Sequence, residues 1–255
     1  MYLAQVSYFV PESVDAETVE FLFTNLLATW YKNGQTCGHR MELTFVDSRC
    51  LAPVMLPEGN ALAPEHDNAY VRKDAEAMLA AGMRGPEVTI LGEDLEEPAV
   101  CACPLPTSYI LFTHMFTQAP PLQCGTCFRP VPLYRIPPTS DGEYLGILGW
   151  RDDYQACDTL WLNSGTLERA ATREMSRVDS SLSQNGRSIC DAITVSTGVP
   201  TYYYLFHFHG RSAKQERERQ CPGCGGAWRL DKPISIIDFR CDRCRLMSSI
   251  ATDLS

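Results

Sequence analysis

The sequence contains none of the local motifs by which common enzyme families are recognised. GxSxG, P-loop, GxGxxG and HExxH patterns are all absent, and only five histidines occur in 255 residues. No apolar run approaches the length of about 20 residues that a membrane-spanning helix needs. The segment from Met1 to Pro11 lacks the basic start of a signal peptide. We therefore assign no catalytic residue and expect a cytoplasmic protein.

Cysteine, in contrast, is abundant. Eight of the twelve cysteines lie in close pairs along the chain. In a reducing compartment, paired cysteines are typical of metal ligands rather than of disulfides. We expect the four scattered cysteines to pack as small apolar residues: Cys37, Cys50, Cys157 and Cys190.

The strongest motif consists of two CxxC pairs near the C-terminus, separated by sixteen residues. This is the ligand spacing of a zinc ribbon, in which two tight turns present four sulfurs to one tetrahedral Zn²⁺. Four thiolates leave no open position for water, so the predicted zinc is structural. A segment this short buries little apolar surface, and the metal should supply much of its folding energy. We call these residues the ribbon group: Cys221, Cys224, Cys241 and Cys244.

A second set combines a CxC pair with a CxxC pair twenty residues later. The residues from 101 to 127 admit three interpretations: a second zinc site, unliganded thiols in a proline-rich loop, and a redox-active CxxC. The redox interpretation needs a helix that starts at the first cysteine of the CxxC pair, and the surrounding prolines disfavour one. We call these residues the loop group: Cys101, Cys103, Cys124 and Cys127.

Charge is distributed unevenly along the chain. The formal net charge is −9, yet residues 211–245 carry nine Lys/Arg against five Asp/Glu. Residues 1–210 are therefore strongly acidic and would repel phosphate, which confines any extensive nucleic-acid contact to the basic tail. Within this tail, the side chains predicted to contact nucleic acid or another partner are Trp228, Arg229, Arg240, Arg243 and Arg245.

Apolar periodicity predicts an α+β fold, with a mixed sheet-and-helix body over residues 1–210 and a C-terminal zinc ribbon over residues 211–255. A segment rich in proline and cysteine, residues 116–142, divides this body. The pattern also predicts one helix over Thr166–Leu182. A capping box at Ser188 and Asp191 predicts the start of a separate short helix.

Several C-terminal motifs resemble a bacterial family of unknown function. They are CGTCFRPVPLYRIP at 124–137, MSRVDSSLSQNGRSIC at 175–190, GVPTYYYL at 198–205 and CPGCGGAWRL with FRCDRCRLMS at 221–248. That family is described as zinc-ribbon-containing, with nucleic-acid binding as its suggested role. The resemblance implies that the ribbon group binds zinc and that Cys124 and Cys127 belong to the family pattern.

Three functional hypotheses follow from the sequence. The first is a non-enzymatic zinc-ribbon protein that binds nucleic acid through its basic tail. The second is a protein-binding role, such as a toxin-neutralising (immunity-type) protein whose acidic body recognises a basic partner. The third is a metal-dependent enzyme that uses the region from Cys101 to Cys127. One Zn²⁺ is expected in the ribbon group, and the loop group would hold a second if it is a metal site.

Overall fold

The computed structural model describes residues 1–38, 42–139, 141–210, 212–251 and 253. The chain forms two compact units whose segments alternate along the sequence. The first unit contains Met1–Val100, Gln118–Pro120 and Pro132–Leu145. The second contains Cys101–Thr117, Pro121–Val131 and Gly146–Ser255.

Among its described residues, the first unit has a four-stranded antiparallel sheet and two α-helices. Its strand order is β2-β3-β1-β4, which with the βαββαβ order along the chain is the ferredoxin-like arrangement. The elements are β1 (Tyr2–Phe9), α1 (Ala16–Lys32), β2 (Thr44–Val46), β3 (Arg49–Leu56), α2 (Ala69–Ala80) and β4 (Arg84–Glu93).

Helix α1 is an amphipathic helix with a side-chain cap at its start. The Asp15 side chain accepts a hydrogen bond of 2.8 Å from the backbone N–H of Thr18 and so caps the first turn. Tyr8 on β1 meets Phe23 on α1 with ring centroids 5.2 Å apart. Burying each large apolar side chain contributes about 1.5–3 kcal/mol. The helix buries one apolar stripe in this core: Val19, Phe23, Leu26, Leu27 and Trp30.

The described part of the second unit has a six-stranded mixed sheet and four α-helices. The strand order is β6-β5-β7-β10-β9-β8, and β7 runs parallel to both of its neighbours. The elements are β5 (Tyr109–Leu111), β6 (Leu122–Cys124), α3 (Leu145–Leu162), α4 (Glu168–Ser176), α5 (Ser181–Thr197), β7 (Thr201–Tyr204), α6 (Ala213–Arg217), β8 (Arg229–Ile234), β9 (Ile237–Cys241) and β10 (Leu246–Ser248).

Strand β7 is the centre of this sheet and is buried along its whole length. The Tyr203 ring packs against Trp150 of α3, with centroids 5.9 Å apart. Gly186 of α5 lies so close that an added Cβ would come within 2.2 Å of the Tyr203 ring. Helix α5 can therefore approach β7 only because residue 186 has no side chain.

The α+β class is confirmed, but two helix predictions are wrong. The predicted helix over Thr166–Leu182 is interrupted, because Arg177 is extended and Ser180 caps a new helix by accepting from the backbone N–H of Ser183. Ser188 therefore lies inside α5 and does not begin a helix. The capping-box pattern was present, but a second serine eight residues earlier occupies the true N-cap position.

Strands β8, β9 and β10, which lie in the predicted ribbon segment, belong to the six-stranded sheet of the second unit. Strand β10 pairs with β7, so this sheet crosses the predicted boundary at residue 210. That residues 211–255 form a domain of their own stays a prediction. Among the described residues, no helix combines the length and apolar character that a bilayer crossing requires.

The two units differ in charge. The segments of the first contain 7 Lys/Arg and 18 Asp/Glu, for a formal charge of −11. Those of the second contain 15 Lys/Arg and 13 Asp/Glu, for a formal charge of +2. The acidity expected for residues 1–210 as a whole therefore belongs to the first unit.

Candidate metal centres

The ribbon group comes together in the folded chain. Its four sulfurs all lie within 4.8 Å of one another, and the sulfurs of Cys224 and Cys241 are 3.7 Å apart. Two ligands of a tetrahedral zinc with bonds of about 2.3 Å would lie about 3.8 Å apart. All twelve cysteines are unbridged, and 3.7 Å is far beyond the S–S length of about 2.05 Å in a disulfide. The spacing is that of metal ligands.

The first CxxC turn of this group has a defined backbone geometry. The N–H of Gly225 donates to the carbonyl of Cys221 at 2.8 Å, and the N–H of Cys221 donates to the carbonyl of Gly226 at 2.9 Å. Gly225 has φ +69°, a left-handed conformation that favours glycine. At Gly223, an added Cβ would lie 2.8 Å from the sulfur of Cys244. Glycine at this position lets the two turns close on one point.

The loop group also converges, with its four sulfurs within 4.8 Å of one another. Its CxxC turn repeats the hydrogen bonds of the ribbon turn. The N–H of Phe128 donates to the carbonyl of Cys124 at 2.8 Å, and the N–H of Cys124 donates to the carbonyl of Arg129 at 2.9 Å. Phe128 occupies the position of Gly225 and has φ +55°. This match favours the metal-site interpretation over unliganded thiols.

The remaining cysteine pairs differ from each other. Cys241 begins a third turn that also contains a residue with positive φ: Arg245 has φ +53°, and the N–H of Cys244 donates to the Cys241 sulfur at 3.4 Å. Cys101 and Cys103 are too close in sequence for such a turn. There, the N–H of Cys103 donates directly to the Cys101 sulfur at 3.3 Å.

Both groups lie towards the same end of one sheet. Cys124 of β6 and Thr201 of β7 both pair with Tyr109 of β5. On the other side, Cys241 of β9 pairs with Leu246 of β10, which itself pairs with β7 two residues further along. Four strand spacings separate β6 from β9, which is roughly 19 Å. The two candidate metal centres therefore hold the opposite sides of the sheet around β7.

Backbone hydrogen bonds prepare one sulfur in each group for metal binding. The N–H of Gly226, followed by neighbouring thiols, lowers the pKa of Cys224 to about 7. Burial raises the pKa of Cys124, but hydrogen bonds from the backbone N–H groups of Cys127 and Thr126 outweigh it and lower the value to about 7. A thiolate is the form that binds a metal.

Burial makes three of the other sulfurs harder to ionise when no metal compensates their charge. Burial raises the pKa of Cys101 and of Cys221, and it raises the pKa of Cys244 to about 12. A dication at the centre of each group would remove this penalty. The donor set, the spacing and the N–H···S hydrogen bonds thus fit a closed four-sulfur metal site in both places.

The predicted contact residues of the tail lie in different environments. Trp228 is only 3% exposed, packs on Phe239 with centroids 5.2 Å apart, and donates its indole N–H to the Arg219 carbonyl at 2.9 Å. This burial removes Trp228 from the candidate contact surface. Arg229 and Arg243 are exposed.

Arg240 and Arg245 lie around one tyrosine. Their guanidinium carbons are 4.6 Å and 5.3 Å from the centroid of the Tyr202 ring, and both donate hydrogen bonds to its hydroxyl. Arg240 also pairs with Asp242 at 2.7 Å. Tyr202 is buried beneath these arginines and offers no free ring face to a base.

Family models match the chain in three segments. Residues 1–92, 103–206 and 210–254 match three different domains of unknown function, DUF8589, DUF2310 and DUF8594 respectively. An uncharacterized protein of Haemophilus influenzae strain Rd is 30% identical in an alignment 258 residues long that covers 98% of each chain. The chain belongs to the family of that protein.

A further uncharacterized protein of the same strain is 34% identical over 163 residues, covering 64% of this chain and 80% of its own length. No solved structure matches the chain. The third family model begins at residue 210, close to the predicted start of the ribbon.

Proposed function

We propose that this chain is a non-enzymatic, two-zinc protein of the cytoplasm that binds another macromolecule. The observation that carries the proposal is the repeated CxxC turn, with the same two backbone hydrogen bonds in the loop group and in the ribbon group. Four soft sulfur ligands within 4.8 Å of one another favour Zn²⁺. The unbridged state of all twelve cysteines supports a reducing compartment.

The ligand sets support a structural role for both metals. Four cysteines fill the coordination sphere of zinc, and a catalytic zinc keeps one position for water or substrate. The candidate enzyme centre between Cys101 and Cys127 is thus better explained as a second structural site. Each zinc would fasten a CxxC turn to a second pair of cysteines beside the six-stranded sheet.

Charge favours a basic protein as the partner. Two zinc ions with eight thiolates would change the formal charge of the second unit from +2 to −2, while the first unit stays at −11. A surface of this sign attracts a basic protein and repels nucleic acid. A toxin-neutralising role is one function that needs such a partner.

Nucleic acid is the second candidate, and exposed Arg229 and Arg243 favour it. The burial of Trp228 and Tyr202 weakens it, because single-stranded nucleic acid is usually bound by stacking on exposed rings. Double replacement of Arg229 and Arg243 by alanine should abolish salt-dependent binding to single-stranded DNA if this candidate is correct. Absence of binding by the parent protein at low salt would eliminate it.

Metal analysis of the purified protein tests the core of the proposal. We expect two zinc ions per chain by plasma mass spectrometry. One zinc would restrict the proposal to a single group, and none would overturn it. Extended X-ray absorption fine-structure spectroscopy should show four sulfur neighbours at about 2.3 Å from each zinc and no oxygen neighbour.

A further inference from the structure

The two cysteine groups differ in how well their sulfurs are protected. In the loop group, Cys127 is exposed and Cys103 is half-buried, while Cys101 and Cys124 are buried. In the ribbon group, two cysteines are buried and two are half-buried, and none is exposed. An oxidant dissolved in water therefore reaches a sulfur of the loop group more directly.

Within the loop group, the described N–H···S hydrogen bonds go to the buried cysteines. Backbone N–H groups donate to the sulfurs of Cys101 and Cys124 in the loop group, the two that are already buried. In the ribbon group the N–H of Cys244 donates to the sulfur of Cys241, which is also a buried cysteine. An N–H···S hydrogen bond withdraws electron density from a metal-bound thiolate and makes it a weaker nucleophile.

We infer that the loop group is a reversible oxidation site for hydrogen peroxide, with Cys127 as the sulfur attacked and Cys103 as the sulfur that completes a disulfide. The inference rests on the proposed zinc occupancy of both groups. The ribbon group keeps its zinc under the same conditions. The protein would then possess one zinc centre that responds to peroxide and one that only supports the fold.

The chemistry balances with peroxide as the sole oxidant. The Cys127 thiolate attacks one peroxide oxygen, the O–O bond breaks, and a sulfenic acid and hydroxide form. The Cys103 thiolate, whose sulfur lies within 4.8 Å, then attacks the Cys127 sulfur and displaces a second hydroxide. The two thiolates supply the two electrons that reduce peroxide. Two protons convert the hydroxides to water, and a zinc bound at this group would lose two of its four ligands.

The experiment begins with the full chain and a measured zinc content. A content below two zinc ions would count against the proposed function and not against this inference. Peroxide is then added in the presence of a zinc-binding dye, and samples are differentially alkylated and mapped by fragmentation mass spectrometry. We expect release of one zinc, a bridge between Cys103 and Cys127, and recovery after treatment with a dithiol and zinc.

Release of both zinc ions at the same rate would overturn the inference, as would a first bridge within the ribbon group. A bridge from Cys127 to Cys124 would overturn the assignment of Cys103. A Cys127→His variant supplies a further readout, because three cysteines and one histidine also form a structural zinc site. It should slow peroxide-driven release roughly tenfold. The control variant Cys157→Ala, at a half-buried cysteine outside both groups, should leave that rate unchanged.

Discussion

The loop group and the ribbon group use the same backbone turn in different sequence contexts. The ribbon turn begins Cys-Pro-Gly-Cys-Gly, with glycine where φ is positive, whereas the loop turn begins Cys-Gly-Thr-Cys-Phe and places phenylalanine there. Left-handed backbone costs a non-glycine residue about 1 kcal/mol or more. The comparison teaches that the geometry of the metal turn is retained even where the sequence disfavours it.

Of these experiments, metal removal should have the largest effect, and it should unfold one unit while the other stays folded. A strong chelator is expected to unfold the six-stranded sheet, because structural zinc sites contribute on the order of 10 kcal/mol each. The first unit contains no complete cysteine group and should remain folded. Hydrogen exchange should show lost protection in β5–β10 and retained protection in β1–β4. Equal loss in both units would show that they unfold together.

Replacement of one cysteine in each group should reveal unequal roles. Cys224→Ser should lose one zinc and also loosen β7, because β10 pairs with it. Cys103→Ser should lose one zinc and leave β7–β10 protected, since it lies on a segment outside the strands. Zinc stoichiometry and hydrogen exchange measure both results. The groups would be equivalent if both variants destabilised the same strands.

Alanine substitutions at closely packed glycines should show which cysteine group is more tightly packed. At Gly125 an added Cβ would lie 1.9 Å from the Ser108 hydroxyl oxygen, whereas at Gly223 the closest atom is 2.8 Å away. We expect Gly125→Ala to lower the free energy of unfolding by about 3 kcal/mol and Gly223→Ala by about 1–2 kcal/mol. Gly226→Ala is the control, because its nearest contact is an ordinary 3.5 Å. Denaturation in excess zinc measures these free energies of unfolding. A larger loss for Gly223→Ala than for Gly125→Ala would show that the loop group is the more loosely packed site.

Proton release on zinc binding should give the smallest effect and should be similar in both groups. Zinc binds thiolates, so uptake releases protons from Cys124 and Cys224 below their pKa of about 7. Between pH 6 and pH 8 the number of protons released should fall by about one per zinc. Calorimetry in buffers of different ionisation enthalpy measures this number. A fall at only one site would show that the groups differ in electrostatics as well.

The same pKa values affect the metal-free fold. Both thiols ionise more easily when folded than at their usual 9.0, so ionisation stabilises the folded state fully above pH 9. This contribution is lost as the pH falls towards 7. Burial acts in the opposite direction on Cys244, whose raised pKa favours the fold below pH 9 and loses effect towards pH 12.

Local patterns were reliable where one element buries one face. Strand β1 and helix α2 agree with local sequence patterns, because apolar and polar residues alternate along β1 and Asn68 caps an apolar helical face in α2. The helix over Thr166–Leu182 failed because apolar spacing continued across the break at Arg177. Periodicity reports which side of the chain is buried, and it does not report where the helix axis changes direction.

The candidate site was predictable only in part. The repeated CxxC spacing identified the ribbon group, since four cysteines at these intervals match the chemistry of zinc. The loop group stayed ambiguous, because no local pattern shows that Cys101 and Cys103 meet a turn twenty residues later. Pairing of β5 with β6, and a hydrogen bond of 2.7 Å from the Cys101 N–H to the Pro130 carbonyl, bring them together.

The sequence by itself determined the α+β class, the most regular helices and strands, and the four ribbon cysteines, because these depend on periodicity and short-range spacing. Tertiary structure alone decided that β10 joins β7, that both cysteine groups lie towards one end of the same sheet, and that Trp228 is buried. It also showed that the negative charge is concentrated in the first unit. These features depend on contacts between residues far apart in the chain, and their energies are set by burial and pairing rather than by local pattern.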